Sequence, residues 1–78
     1  MAAWIIYRGE RIFIMLNAHW DSKLFHLPPL TGGRRWHRVA DTALPPGQDF
    51  ADEGGEVLIT TASGYLATDR SVVILIAR

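Results

Sequence analysis

No cysteine occurs in the 78 residues. Disulfide staples, cysteine-based zinc sites and thiol chemistry are thereby excluded, and a reducing, cytoplasmic setting is expected. Net charge is lacking as well: eight Lys and Arg balance eight Asp and Glu, for a formal charge of zero with the histidines neutral. A nucleic-acid binder ordinarily carries a basic excess on one face. The one basic cluster, Arg34-Arg35 with His37 and Arg38, is too short to supply it. Long hydrophobic runs are missing too, since the aliphatic stretch Val72 to Ala77 falls far short of the ~20 residues that span a bilayer. The opening Met1-Ala2-Ala3-Trp4 has no basic leader followed by an apolar core and a cleavage pattern. Neither nucleic acid nor a membrane is an expected partner. No stretch of ten or more residues carries a helical apolar stripe, and no repeat or low-complexity tract is present.

About half of the residues are apolar, which suffices for one hydrophobic core and argues against intrinsic disorder. The length fits one domain, residues 1–78, that buries about 60–65% of its unfolded surface and so has modest stability. The apolar spacing favours strands. Trp4 to Tyr7 and Ile12 to Leu16 flank Arg8-Gly9-Glu10 and read as a hairpin. Lys23 to Leu27 alternates, with Leu24 and His26 on one face and Lys23, Phe25 and Leu27 on the other, and Pro28-Pro29 ends it. Trp36 to Val39 sets Trp36 and Arg38 opposite His37 and Val39. The Gly-, Pro- and acid-rich stretch from Ala43 to Gly55 reads as a surface loop. Glu56 to Thr61 predicts a strand, and Ala62-Ser63-Gly64 a turn. Tyr65 to Thr68 and Ser71 to Ile76 predict a closing hairpin around Asp69-Arg70. The last strand is apolar on both faces, as expected of one covered on both sides. About seven short strands predict an all-β fold, a small antiparallel two-sheet β-sandwich.

Candidate chemistry is sparse. His19, His26 and His37 share no metal-ligand spacing, and a zinc site needs three or four convergent ligands. Asp49, Asp52, Glu53 and Glu56 crowd one loop, but their spacing fits neither a calcium loop nor two carboxyls held across a sugar on a rigid frame. They are expected to be solvated. Ser22, Ser63 and Ser71 lack a nucleophile elbow, and Thr31-Gly32-Gly33 is a turn rather than a phosphate loop. No cofactor, metal or catalytic residue is expected. Asp41-Thr42 suits a structural role, tying down the following loop through side chain to backbone bonds. The aromatics leave two readings open. Trp36 sits in a strand pattern and is expected in the core. Trp20, within the polar stretch Asn17 to Ser22, is a candidate carbohydrate-binding platform together with Trp4 and Tyr7.

Several phrases, taken in order, resemble one family. Leu16-Asn17-Ala18-His19 followed by Phe25-His26-Leu27-Pro28, then Trp36-His37-Arg38-Val39-Ala40-Asp41-Thr42-Ala43, then Tyr65-Leu66-Ala67-Thr68-Asp69-Arg70-Ser71-Val72-Val73-Ile74-Leu75 resemble the C-terminal β-sandwich of isoamylase-type glycogen-debranching enzymes. The resemblance covers nearly the whole chain. It implies an accessory domain of α-amylase-like glycoside hydrolases that cleave α-1,6 branches in glycogen. Their catalytic carboxylates lie on a (β/α)8 barrel against which this domain packs. A barrel of ~250 residues does not fit in this chain, so no catalytic residue carries over. The family's domain trails several hundred residues, whereas this chain starts at Met1. The sandwich face that the barrel covers is then expected to be bare and to invite self-association or another partner. α-Glucan is the other expected partner, through Trp20.

Overall fold

The computed structural model describes residues 2–7, 10–52, 54–60 and 64–78, with residues 2–7 described by backbone and strand pairing alone. Seven strands follow in chain order: β1 (Ala2–Tyr7), β2 (Glu10–Asn17), β3 (Lys23–His26), β4 (Trp36–Asp41), β5 (Val57–Leu58), β6 (Gly64–Ala67) and β7 (Ser71–Ala77). Five form one antiparallel sheet in the order β1-β2-β7-β4-β5, and β3 pairs with β6 in a second sheet of two strands. The all-β, two-sheet sandwich expected from the apolar runs is therefore the observed architecture.

Period-two alternation decides what enters the core. In β2, Phe13, Met15 and Asn17 point inward; in β7, Ser71, Val73, Leu75 and Ala77 do the same, all of them buried. The two strands register these sets against each other, Phe13 with Leu75, Met15 with Val73 and Asn17 with Ser71. β4 adds Trp36, whose ring centroid lies 5.9 Å from that of Phe13. Its indole Nε1 donates to Pro28 O at 2.9 Å, so the buried polar tip is satisfied where the Pro28-Pro29 breaker leaves a carbonyl free. The small sheet closes the core with Ala67, Phe25 and Tyr65. Leu24 and Leu66, paired across the same two strands, face away and are exposed. Burying Phe13, Met15, Val73 and Leu75 contributes about 1.5–3 kcal/mol each.

β4 contains a β-bulge. Arg38 pairs with Leu75 but Ala40, not Val39, pairs with Ile74. The extra residue shifts the alternation by one, so Asp41 joins Trp36 and Arg38 on the inward face instead of opposing them. Without it, the Asp41 carboxylate would point away from the second sheet.

Two expectations need correction. Tyr65 to Thr68 and Ser71 to Ile76 do not form a hairpin: β6 pairs with β3, β7 pairs with β2 and β4, and the turn between them passes from one sheet to the other. Arg70 lies in the left-handed region there, at φ 47°, which tight hairpin turns also use, so the local turn does not decide the pairing; β3 does, by taking β6 as its partner. Of the strand expected over Glu56 to Thr61, the described residues form only Val57–Leu58, and Thr61 lies outside them. Ile59 still donates its N–H to Trp36 O at 2.9 Å, but its side chain packs against the core. Phe50 bridges to Ala40 and takes the other half of the β4 edge. The expected turns at Arg8-Gly9 and Ala62-Ser63 lie outside the described residues.

The outward face of the large sheet is a set of apolar rows. Ile12, Ile76, His37 and Leu58 form one row in register; Ile14, Ile74, Ala40 and Phe50 form the next; Leu16 and Val72 form the third. Ile76 is buried, Ile12, Ile14, Val72 and Ile74 are half-buried, and Leu16, Leu58 and Phe50 are exposed. β7 is thus covered on one face by the small sheet and only flanked by its neighbours on the other.

Candidate functional site

Two clusters of polar side chains stand out, and each grows from a residue that the alternation carries inward. The first is centred on Asn17, the last residue of β2. It shares the face of Phe13 and Met15 and is 1% exposed. Its Nδ2 donates to Asp21 O at 2.9 Å and to Ala67 O and Thr68 O at 3.1 Å each, while its Oδ1 accepts from His19 N at 3.1 Å. One buried amide therefore fastens the loop that leaves β2 to the turn that leaves β6. Ser71 Oγ donates to Thr68 O at 2.6 Å and Arg70 N donates to His19 O at 3.1 Å. Every bond in this group fixes backbone in the segments 18–21 and 67–70.

Those two segments present Trp20 and Arg70. Trp20 is 77% exposed, against 6% for Trp36. The Arg70 guanidinium carbon lies over the Trp20 ring, 4.5 Å from its centroid, in a cation–π contact. Asp69 Oδ2 is 3.9 Å from Arg70 Nε. Of the three residues expected to contact carbohydrate, Trp20 is exposed, with Arg70 over one face of its ring. Trp4 pairs with Phe13 and Tyr7 with Glu10 along the β1–β2 ladder, and their side chains lie outside the described residues. Tyr7 stands opposite a residue seven places before Asn17, roughly 24 Å along the strand from the Trp20 end.

The second cluster joins the two sheets. Tyr65 of β6 donates its hydroxyl to Asp41 Oδ2 at 2.5 Å, and Asp41 Oδ1 accepts from Ala43 N at 3.0 Å. Arg38, on the same inward face, lies close enough to act on the Tyr65 hydroxyl. Asp41 is 4% exposed, and the bulge in β4 is what points it here. Burial pushes the Tyr65 hydroxyl from 10.0 up to about 12, the Asp41 hydrogen bond and charge adding to it and Arg38 opposing. Asp41 does tie down the following loop, as its chemistry suggests. Thr42 acts at longer range: its Oγ1 accepts from Val72 N at 2.9 Å, extending the grip on β7.

The Tyr65 shift fixes a pH dependence. The folded state holds this proton more tightly than the unfolded chain, so the stability it contributes is complete below pH 10 and is lost as pH rises through about 12. A shift of that size corresponds to roughly 3 kcal/mol in full burial; the half-buried ring and solvent screening reduce it to about 1 kcal/mol. Urea unfolding of the native chain should show this loss between pH 9 and about 12. Tyr65→Phe should be flat over the same range, and an equal decline in both proteins would reject the assignment.

The remaining candidates stay apart. His19 and His26 are exposed, His37 Nδ1 donates to Arg35 O at 3.0 Å, and no three of His, Cys, Asp and Glu converge among the described residues. Asp49 Oδ1 accepts from Gly47 N. Glu56 departs from the solvated loop acid expected: its side chain is only 8% exposed, pairing with Arg78 Nε at 3.1 Å and accepting from Gly54 N at 2.7 Å. Arg78 also reaches Glu10 at 3.7 Å, so these charges close the end of the large sheet. Asp52 is exposed and Glu53 lies outside the described residues. Among the described residues no helix is long and apolar enough to cross a membrane.

Comparison with known proteins agrees with the architecture. A family profile described as isoamylase, C-terminal, matches residues 5–76. No curated protein and no solved structure matches the chain significantly. The matched span includes all but the first residues of β1, both polar clusters and nearly the whole of β7, and on that extent the chain belongs to the isoamylase C-terminal domain family.

Proposed function

We propose that this chain is a non-catalytic accessory domain that packs on the (β/α)8 barrel of a glycogen-debranching, α-1,6-glucan-cleaving glycoside hydrolase in the cytoplasm. The observation that carries this reading is the outward face of the five-stranded sheet. Its rows are apolar across β2 and β7, the middle one continuing through Ala40 to Phe50 and the first interrupted on β4 by His37, and Leu16, Leu58 and Phe50 remain 38%, 40% and 63% exposed on it. A continuous apolar sheet face of this kind is the surface that a second layer covers at about 10 Å spacing. Family membership supplies the expected occupant, a catalytic domain of an isoamylase-type enzyme.

Mixing the domain with such a barrel, prepared without its own C-terminal domain, should raise the barrel's melting temperature and its debranching activity. Leu16→Lys and Phe50→Lys replace exposed side chains and should leave the isolated domain's stability within about 0.5 kcal/mol. Each should weaken the complex about tenfold or more, as expected of a charge placed in an apolar interface. A barrel unchanged in stability and activity by the native domain would remove the proposal. Sedimentation of the domain alone tests self-association: a dimer abolished by the same substitutions would assign the face to a second copy instead.

A second reading is α-glucan binding on Trp20, with Trp4 or Tyr7 as further contacts along a longer oligosaccharide. The exposure of Trp20 favours it. Titration with maltooligosaccharide, followed by tryptophan fluorescence, should shift the emission; no shift at millimolar sugar rejects it.

A further inference from the structure

We infer that Trp20, Arg70 and Asp69 form a preorganised subsite for a single pyranose ring of a neutral oligosaccharide, an inference that rests on and deepens the glucan-binding reading. An exposed tryptophan in a chain this small exposes apolar surface that folding would otherwise bury. Here that exposure is built rather than left over. The backbone on either side of Trp20 is held by Asn17, through Asp21 O and His19 N, and the backbone before Arg70 by the same amide, through Ala67 O and Thr68 O. Arg70 N closes the ring of contacts on His19 O. Both functional side chains therefore project from segments that cannot move independently, and the guanidinium over one indole face limits the rotation of the ring. A ligand meeting this surface finds little left to order, which is the entropic condition for binding on a small contact area.

The chemistry selects the class of ligand. At 77% exposure, with Arg70 over one face, the opposite face of the indole is open to solvent. It suits a flat ligand that presents C–H groups. Beside it stand a guanidinium that donates hydrogen bonds and a carboxylate that accepts them, Arg70 and Asp69, 3.9 Å apart and both substantially exposed. A group with one apolar face and equatorial hydroxyls, each able to donate and accept, satisfies all three. An anion would be repelled by Asp69 and a cation by Arg70, so the paired charges favour an uncharged ligand.

Nuclear magnetic resonance of the full chain, titrated with maltoheptaose, tests this directly. The indole N–H of Trp20 should shift while that of Trp36, bonded to Pro28 O in the core, stays in place. Trp20→Ala should weaken binding roughly tenfold or more. Arg70→Ala should weaken it roughly three- to tenfold, with the melting temperature of both variants near that of the native chain. Inorganic phosphate should not compete. If maltoheptaose binds while the Trp20 signal stays still and Arg70→Ala binds normally, the subsite is wrong and the broader glucan reading survives. If phosphate displaces the sugar, the neutral-ligand class is wrong. If no signal moves at millimolar maltoheptaose, both the subsite and the broader reading fall.

Discussion

Asn17→Ala should cost about 3–5 kcal/mol, the largest loss expected from any single polar substitution in this chain. The amide makes four contacts from a position 1% exposed. Two N–H groups serve three carbonyls, so one proton is shared. Alanine leaves Asp21 O, Ala67 O and the His19 N–H without the amide, Thr68 O alone keeping the Ser71 hydroxyl, and a buried partner left unsatisfied costs ~1–3 kcal/mol. A 78-residue domain has roughly 0.05–0.15 kcal/mol of stability per residue, about 4–12 in total, so the variant sits at the margin of folding. Asn17→Asp sharpens the test. It keeps the shape and the acceptor for His19 N but turns a donor into an oxygen that faces three carbonyl oxygens. It should be at least as unstable as the alanine variant at neutral pH, by urea unfolding monitored at Trp36. An aspartate that unfolds at the native midpoint would mean that Asn17 does not hold the two segments together.

Asp41→Ala should cost about 2–4 kcal/mol, because the carboxylate is the acceptor for Tyr65 from the opposite sheet and for Ala43 from its own loop. Removing it leaves the Tyr65 hydroxyl and Arg38 facing each other between the sheets without an acid. The cost is held below that of a fully buried ion pair because Arg38 and Tyr65 are only half-buried. Amide exchange gives the spatial signature. Protection should fall most in β3 and β6, the two strands that depend on this tether, while β2 and β7 keep their mutual ladder. Uniform loss across all strands would show that Asp41 stabilises the whole core rather than the junction. Asp41→Asn keeps the Oδ1 acceptor for Ala43 and should recover about half of the loss.

The sequence made β2 readable by alternation, β4 by its large core aromatic in an extended pattern, β3 by its bounding Pro28-Pro29, and β7 by a run apolar on both faces. Asn17 was also within reach: it stands two places after Met15, in phase with Phe13, and a polar residue at an inward position must find partners. Trp36 was read as core for the same reason of phase. The β6–β7 connection was misread because local pattern cannot tell a tight turn within one sheet from a turn between two; that choice is made by β3, some 40 residues upstream, which claims β6 as its partner. Glu56 to Thr61 has strong strand propensity, but pairing there is decided by how much of the β4 edge Phe50 leaves open. The Trp20 platform was half legible. Its exposure follows from the polar stretch around it, whereas its partner Arg70 is 50 residues away and is brought there only by the fold.

The position of β7 has a consequence for how the protein comes into being. β2 and β4 never touch as a ladder; each pairs with β7, which follows both in the sequence and stands at the middle of the large sheet. A nascent chain that has reached Ala67 can close the β1–β2 hairpin and bring β3 to β6, but the two halves of the large sheet still lack the strand that joins them. Contacts such as Asn17 with Ser71 close loops of more than fifty residues and wait for β7 to emerge. Until then Phe13, Met15 and Trp36 have no cover from Val73, Leu75 and Ala77, and that uncovered apolar surface is the part of the folding chain most exposed to aggregation.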